Sequence, residues 1–194
     1  FVRFLPQIAP HARQVVFMAQ PLLLDLLKGQ TALGEICNDW APGACLAHDC
    51  EIEIMELAYA VRATAQSLPQ PPYLERAEIT RRSSLRLTTA SSRRRLRFGL
   101  IWAASDWDES RSIPFSELLA LHQIGAEFVS LQQGAHADDW KTGGLSVEPL
   151  ADRTRSILDL AMALLCLDAL ITVDTMAAHL AGALDLPCAI LLQY

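Results

Sequence analysis

What this 194-residue chain lacks narrows its possibilities first. No apolar run reaches the roughly 18 residues needed to cross a bilayer before it meets charge or proline, so no membrane span is expected. Residues 1–10 hold no long apolar core, which excludes a secretory signal there, and the missing initiating Met points to a fragment or processed piece. G-x-G-x-x-G is absent, against a dinucleotide-dependent dehydrogenase. A P-loop and a G-x-S-x-G nucleophile elbow are absent too. No unit of about 20 to 50 residues repeats. Cysteine is scarce and odd in number at 5, which fits a reducing cytoplasm better than a disulfide framework. Cys37, Cys45, His48 and Cys50 follow no standard zinc spacing, and neither a metal nor a cofactor is expected.

Hydrophobic content of 52% against 20% charged residues describes a globular chain with a sizeable core, as one large domain or two small ones. Charge is uneven. Arg76, Arg81, Arg82, Arg86, Arg93, Arg94, Arg95 and Arg97 form half of the 16 basic residues, opposed locally only by Glu78. Mixed with Ser83, Ser84, Thr88, Thr89, Ser91 and Ser92, they read as a linker or solvated surface helix. The stretch lacks aromatics and the rest of the chain is acidic, so a nucleic-acid partner is not expected.

Before this stretch, residues 14–20 read as a strand, 21–28 as a helix and 33–38 as a short strand. Residues 48–54 alternate weakly as another strand, and 56–67 are read as helical until Pro69, Pro71 and Pro72 intervene. After it, 96–103 is a strand, 115–124 a helix, 127–132 and 145–150 strands, and 153–167 a helix. Residues 169–173, an apolar run, 176–184, rich in alanine, and 188–192 complete a buried strand–helix–strand unit. Alternating strands and helices predict parallel α/β architecture in both halves.

The polar residues of that last unit gather where its first strand ends. Asp174 and Thr175 form the turn, and His179 returns to the Thr175 face one helical turn on. A helix N-terminus at the carboxyl edge of a parallel sheet favours a phosphate, so Thr175 and Met176 are candidate anion contacts. Asp174, itself anionic, is read as capping the helix or orienting the turn. For His179 two readings stand: a core histidine among alanines, or a phosphate or ribose contact. Arg111 and Ser112 occupy the loop after the 96–103 strand. Arg111 suits a diphosphate clamp, or equally a surface pair with Asp108 or Glu109. Gln132, Gln133 and Gly134 end the next strand with groups suited to ribose or base.

The runs Phe98-Gly-Leu-Ile-Trp-Ala, Arg111-Ser-Ile-Pro, Val129-Ser-Leu-Gln-Gln-Gly and Ile171-Thr-Val-Asp-Thr-Met-Ala-Ala-His-Leu-Ala-Gly-Ala-Leu occur in this order. With Phe1-Val-Arg-Phe-Leu-Pro and Pro72-Tyr73-Leu74, the chain resembles the heptosyltransferase-type glycosyltransferases (family nine), in the bacterial branch fused to tetratricopeptide repeats. The resemblance implies a GT-B fold of two Rossmann-like domains, both incomplete here: residues 1–75 on the acceptor side, an arginine-rich linker at 76–95, and a donor domain at 96–194. It implies metal-independent sugar transfer from a nucleotide-diphosphate sugar to an unidentified acceptor hydroxyl. Arg111, Ser112, Gln133, Asp174, Thr175, Met176 and His179 would then lie at the donor. The family's base loop would precede Phe1, so no catalytic residue is assigned and full catalytic machinery is not expected. Ala104 and Ser105 depart from the family's usual Gly-Asn. An inactive binding or scaffold module is the alternative; a nicotinamide-dependent epimerase is disfavoured by the missing glycine fingerprint.

Overall fold

The computed structural model describes residues 1–38, 47–87, 95–104 and 108–192. Cys45, Thr88, Thr89, Ser91, Ser92, Arg93, Arg94 and Ser105, all invoked above, lie outside the described residues. In chain order the main elements are α1 (Leu5–Ile8), β1 (Val16–Ala19), α2 (Leu24–Leu27), β2 (Glu35–Asn38), α3 (Leu57–Ala60) and α4 (Arg76–Arg82). They continue with β3 (Arg97–Ile101), β4 (Glu127–Ser130), β5 (Val147–Pro149), α5 (Ile157–Leu164), β6 (Ala169–Val173), α6 (Met176–Ala183) and β7 (Cys188–Leu191). The protein is α/β. β1 and β2 form a parallel pair, and a five-stranded parallel sheet runs in the order β5-β4-β3-β6-β7.

Alternation along the central strands sends side chains into two apolar layers, which is why these runs are hydrophobic throughout. Leu100, Trp102 and Phe128 enter one layer with Phe115, Leu118 and Leu145. Ile101, Val129, Leu131 and Leu170 enter the other, which continues through α5 and α6 to Phe4, Leu27, Leu57 and Ile79. α5 is buried nearly all round, and α2 and α4 both pack on it. Its start is set by Ser156, whose Oγ accepts from Asp159 N at 3.0 Å and donates to Asp159 Oδ2 at 2.8 Å, a reciprocal cap. Ser83 Oγ donates to the other Asp159 oxygen at 2.9 Å, which ties the end of α4 to the start of α5.

Several elements differ from their sequence expectation. Residues 48–53 form no strand: Ile52 is 41% exposed, and with no sheet face beneath it the alternation has nothing to pack against. The helix expected over 56–67 is the single turn of α3, because Arg62 adopts a left-handed φ of 52° just beyond it. Residues Phe115–Ile124 wind as a 3-10 helix and stop at Gly125, with φ 68°. The helix expected from 153 starts only at Ile157, where the Ser156 cap stands. Part of the arginine-rich stretch is α4, a surface helix anchored by fully buried Ile79, with Arg81 paired to Glu78 at 2.7 Å. Arg97 belongs to the sheet rather than to solvent: it is buried at the start of β3 and paired with Glu148 of β5. Among the described residues no helix is long and apolar enough to cross a membrane.

Gly99 sits at the centre of this packing. A Cβ there would lie 2.7 Å from Leu167 Cδ1 and 3.1 Å from the Cδ1 atoms of Leu131 and Leu170. Gly99→Ala is expected to lower stability by about 1–3 kcal/mol through overpacking, seen as a lower urea midpoint at unchanged slope.

Candidate functional site

The sheet order reverses between β3 and β6. The chain proceeds from β3 outward to β4 and β5, then crosses back to place β6 on the other side of β3 and β7 beyond it. At such a reversal the loops leaving neighbouring strands diverge to opposite faces and leave a crevice at their carboxyl ends. Arg111, in the loop after β3, and Asp174, directly after β6, meet across it. Arg111 Nη1 donates to the Asp174 carbonyl at 3.1 Å and stands 3.6 Å from Asp174 Oδ2, while Nε lies 3.2 Å from Asp108 Oδ2.

One guanidinium is therefore held between two carboxylates. Ser110 Oγ donates to Asp108 at 2.6 Å; this bond first, and the Arg111 charge next, hold the Asp108 carboxyl below its ordinary range. Of the two partners expected for Arg111 on the surface, Asp108 is realised, and Asp174 joins it from the other motif. Ser112 serves the loop: its Oγ accepts from Ala104 N at 2.9 Å.

Asp174 is not a cap. The N-cap of α6 is Thr175, whose side chain makes no capping bond. Thr172 Oγ1 donates to the Val173 carbonyl at 2.8 Å, so the 3.1 Å contact between the two hydroxyls is a bond from Thr175 to Thr172. With its hydroxyl turned back to the strand, Thr175 leaves the first-turn N–H groups of α6 without a bond from the N-cap side chain. Met176 is 47% exposed, and His179 is exposed as well. The core reading of His179 thus fails: Ala177, Ala178, Leu180, Ala181 and Ala183 fill the buried faces of α6 and leave position 179 to solvent.

The glutamines are largely absorbed by the fold. Gln132 Oε1 accepts from the backbone N–H groups of Trp102 (3.0 Å) and Ala103 (2.8 Å), and Nε2 donates to the Ala103 and Gln133 carbonyls at 3.2 and 2.9 Å. It clamps the end of β3 to that of β4. Gln133 Nε2 donates to the Thr154 carbonyl at 2.6 Å and the Ala151 carbonyl at 3.2 Å, so its amide points into the neighbouring turn instead of toward a base.

A polar group missed in the sequence stands after β4 at the same edge. Asp139 Oδ2 lies 2.9 Å from His136 Nδ1 and accepts from Trp102 Nε1 at 3.3 Å. Contact through Nδ1 leaves Nε2 as the outward ring nitrogen. The i,i+3 spacing of His136 and Asp139 just after Gly134 was the available signal. Among the described residues no three His, Cys, Asp or Glu side chains are placed to hold a metal ion.

No family model, curated protein or solved structure matches this chain. The protein is thus defined by its fold and by this edge: an α/β chain with a cluster of polar residues at the reversal point of a parallel sheet.

Gln132 makes a sharp test of how the edge is built. Gln132→Ala leaves two buried N–H groups unpaired and is expected to cost about 2–6 kcal/mol, at about 1–3 for each lost partner. Chemical denaturation checks this; a loss under about 0.5 kcal/mol would show that the clamp is dispensable.

Proposed function

We propose that the chain carries the donor site of a metal-independent GT-B glycosyltransferase of the heptosyltransferase type, with a nucleotide-diphosphate sugar bound at the β3–β6 edge. The observation that supports this most is the Arg111–Asp174 contact. It brings two motifs 63 residues apart to one helix N-terminus at a sheet-reversal point. In this reading the diphosphate meets the first-turn N–H groups of α6 and the Arg111 guanidinium. Met176 and His179, exposed along α6, border the ribose or sugar. Thr175 and Ser112 hold the turn and the loop, and Gln133 stays structural.

The chemistry follows from where charge develops. Cleavage of the sugar–phosphate bond leaves negative charge on the departing diphosphate, which a helix N-terminus and a guanidinium stabilise. A carboxylate base takes the acceptor hydroxyl's proton; no described residue is assigned that role. Because Asp108 and Asp174 already neutralise Arg111, an incoming diphosphate has to exchange with at least one of them. That prior neutralisation also favours the second reading, a non-catalytic binding or scaffold module.

Calorimetry with ADP, GDP and UDP separates the two. One nucleotide is expected to bind saturably, with Arg111→Ala weakening it about tenfold or more, as loss of a charge-assisted contact does. Asp108→Asn, which frees Arg111 from a competing carboxylate, is expected to strengthen binding a few-fold, on the order of 0.5–1 kcal/mol. A folded chain that binds none of the three supports the scaffold reading.

A further inference from the structure

A second recess lies away from this edge. Tyr73 N and Leu74 N donate to the Ala183 carbonyl, at 3.1 and 3.4 Å. Ala183 ends α6, whereas Thr175 precedes it, so roughly 12 Å of helix separates the two places. Here Arg3, Pro69, Pro72, Tyr73, Glu75 and Arg76 line a groove of about 490 Å³, within the range of small-molecule sites.

The charges in this groove are unbalanced. Arg3 packs its guanidinium on two rings, with Cζ 5.3 Å from the Tyr73 centroid and 5.9 Å from that of Phe4. Its Nε is shut off from solvent and has no hydrogen-bond partner, and Arg3 makes no ion pair among the described residues. Arg76, exposed on the rim, adds a second positive charge. Glu75 is the one carboxylate lining the groove, so the lining sums to a net positive charge; its Oε1 accepts from Thr31 Oγ1 at 2.7 Å and Thr31 N at 3.1 Å, which fixes that oxygen toward Thr31. A partly desolvated guanidinium held over aromatic faces, with no carboxylate of its own, draws an oxyanion strongly. The prolines and Tyr73 supply apolar walls for whatever body carries that oxyanion.

We propose that this groove binds a small organic anion, a carboxylate or phosphate borne on an aromatic or aliphatic body, with Arg3 and Arg76 holding the charge and Tyr73, Pro69 and Pro72 holding the body. The proposal is independent of any donor at the β3–β6 edge.

NMR titration of the full chain with benzoate, phenyl phosphate, inorganic phosphate and benzyl alcohol tests it. Benzoate or phenyl phosphate is expected to shift resonances of Tyr73 and its neighbours saturably, and to bind at least about tenfold more tightly than either control, because the controls carry charge or ring alone. Arg3→Gln should weaken binding about tenfold or more, and Arg76→Gln, a rim change that leaves the fold alone, several-fold. Where Arg3→Gln fails to fold, Arg3→Lys keeps charge and stem but loses the planar fork, and an intermediate loss is expected. The better of the two anions identifies the oxyanion. Absence of saturable binding, binding untouched by the arginine changes, or equal binding of benzyl alcohol would each overturn the proposal.

Discussion

The central strands β4, β3 and β6 of the five-stranded sheet are covered on both faces, and that constraint governs where polar chemistry can go. Leu100, Val129, Leu170 and Val173 are fully buried, so neither face has room for a charged group without a partner. Polar side chains are displaced to the strand ends. At the amino ends Asp168 receives the Arg97 backbone N–H at 2.7 Å, and the Arg97 side chain pairs with Glu148. At the carboxyl ends the strand order reverses between β3 and β6, and Arg111, Asp108, Asp174 and Thr175 collect there. The site is a consequence of how the sheet is wound.

The same edge shows how readily a fold claims side chains that look like ligand contacts. The last N–H groups of a buried strand need acceptors as much as a ligand needs donors. Gln132 satisfies two of them and its backbone neighbours besides, while Gln133 braces the turn before α5. A polar residue just past a central strand therefore has two competing claims on it. Position alone does not decide between them; the count of otherwise unpaired backbone groups does.

This explains which parts of the protein were legible in its sequence. The central strands were read within one or two residues, because short apolar runs such as 169–173 and 98–103, too short for a buried helix, suit a strand covered on both faces. Element ends were read less well where a local device set them: the Ser156–Asp159 cap, the left-handed turn at Arg62, the 3-10 winding of Phe115–Ile124. The 48–54 alternation misled because period-two patterning says only that a strand would have an apolar face, and not that a partner face exists. At the site, Asp174, Thr175 and Arg111 were legible as residues at strand ends. The contact between Arg111 and Asp174 was not, because the strand order that juxtaposes β3 and β6 is a tertiary fact. His136, Asp139 and Trp102 escaped for the same reason: one carboxylate joins loops from two strands.

Charge balance is what separates the two recesses of this molecule. At the β3–β6 edge the fold supplies two carboxylates for one guanidinium, and Asp108 is held ionised by Ser110 and Arg111 together. Arg111 is thereby preorganised in position but electrostatically satisfied, so an anion gains only the difference between its own bonds and those it replaces. The first turn of α6 holds no acidic residue and the Thr175 side chain does not cap it, so its N–H groups add to the attraction, with the Asp174 carboxylate beside them as the charge to be displaced. In the groove beside Tyr73 the balance runs the other way, with two arginines and one carboxylate that is already bonded to Thr31. Selectivity follows from this contrast. On the two proposals, the edge would favour a ligand whose multiple oxygens can engage helix and guanidinium at once, as a diphosphate does, and the groove a compact anion held by Arg3 and Arg76 against the one carboxylate of Glu75.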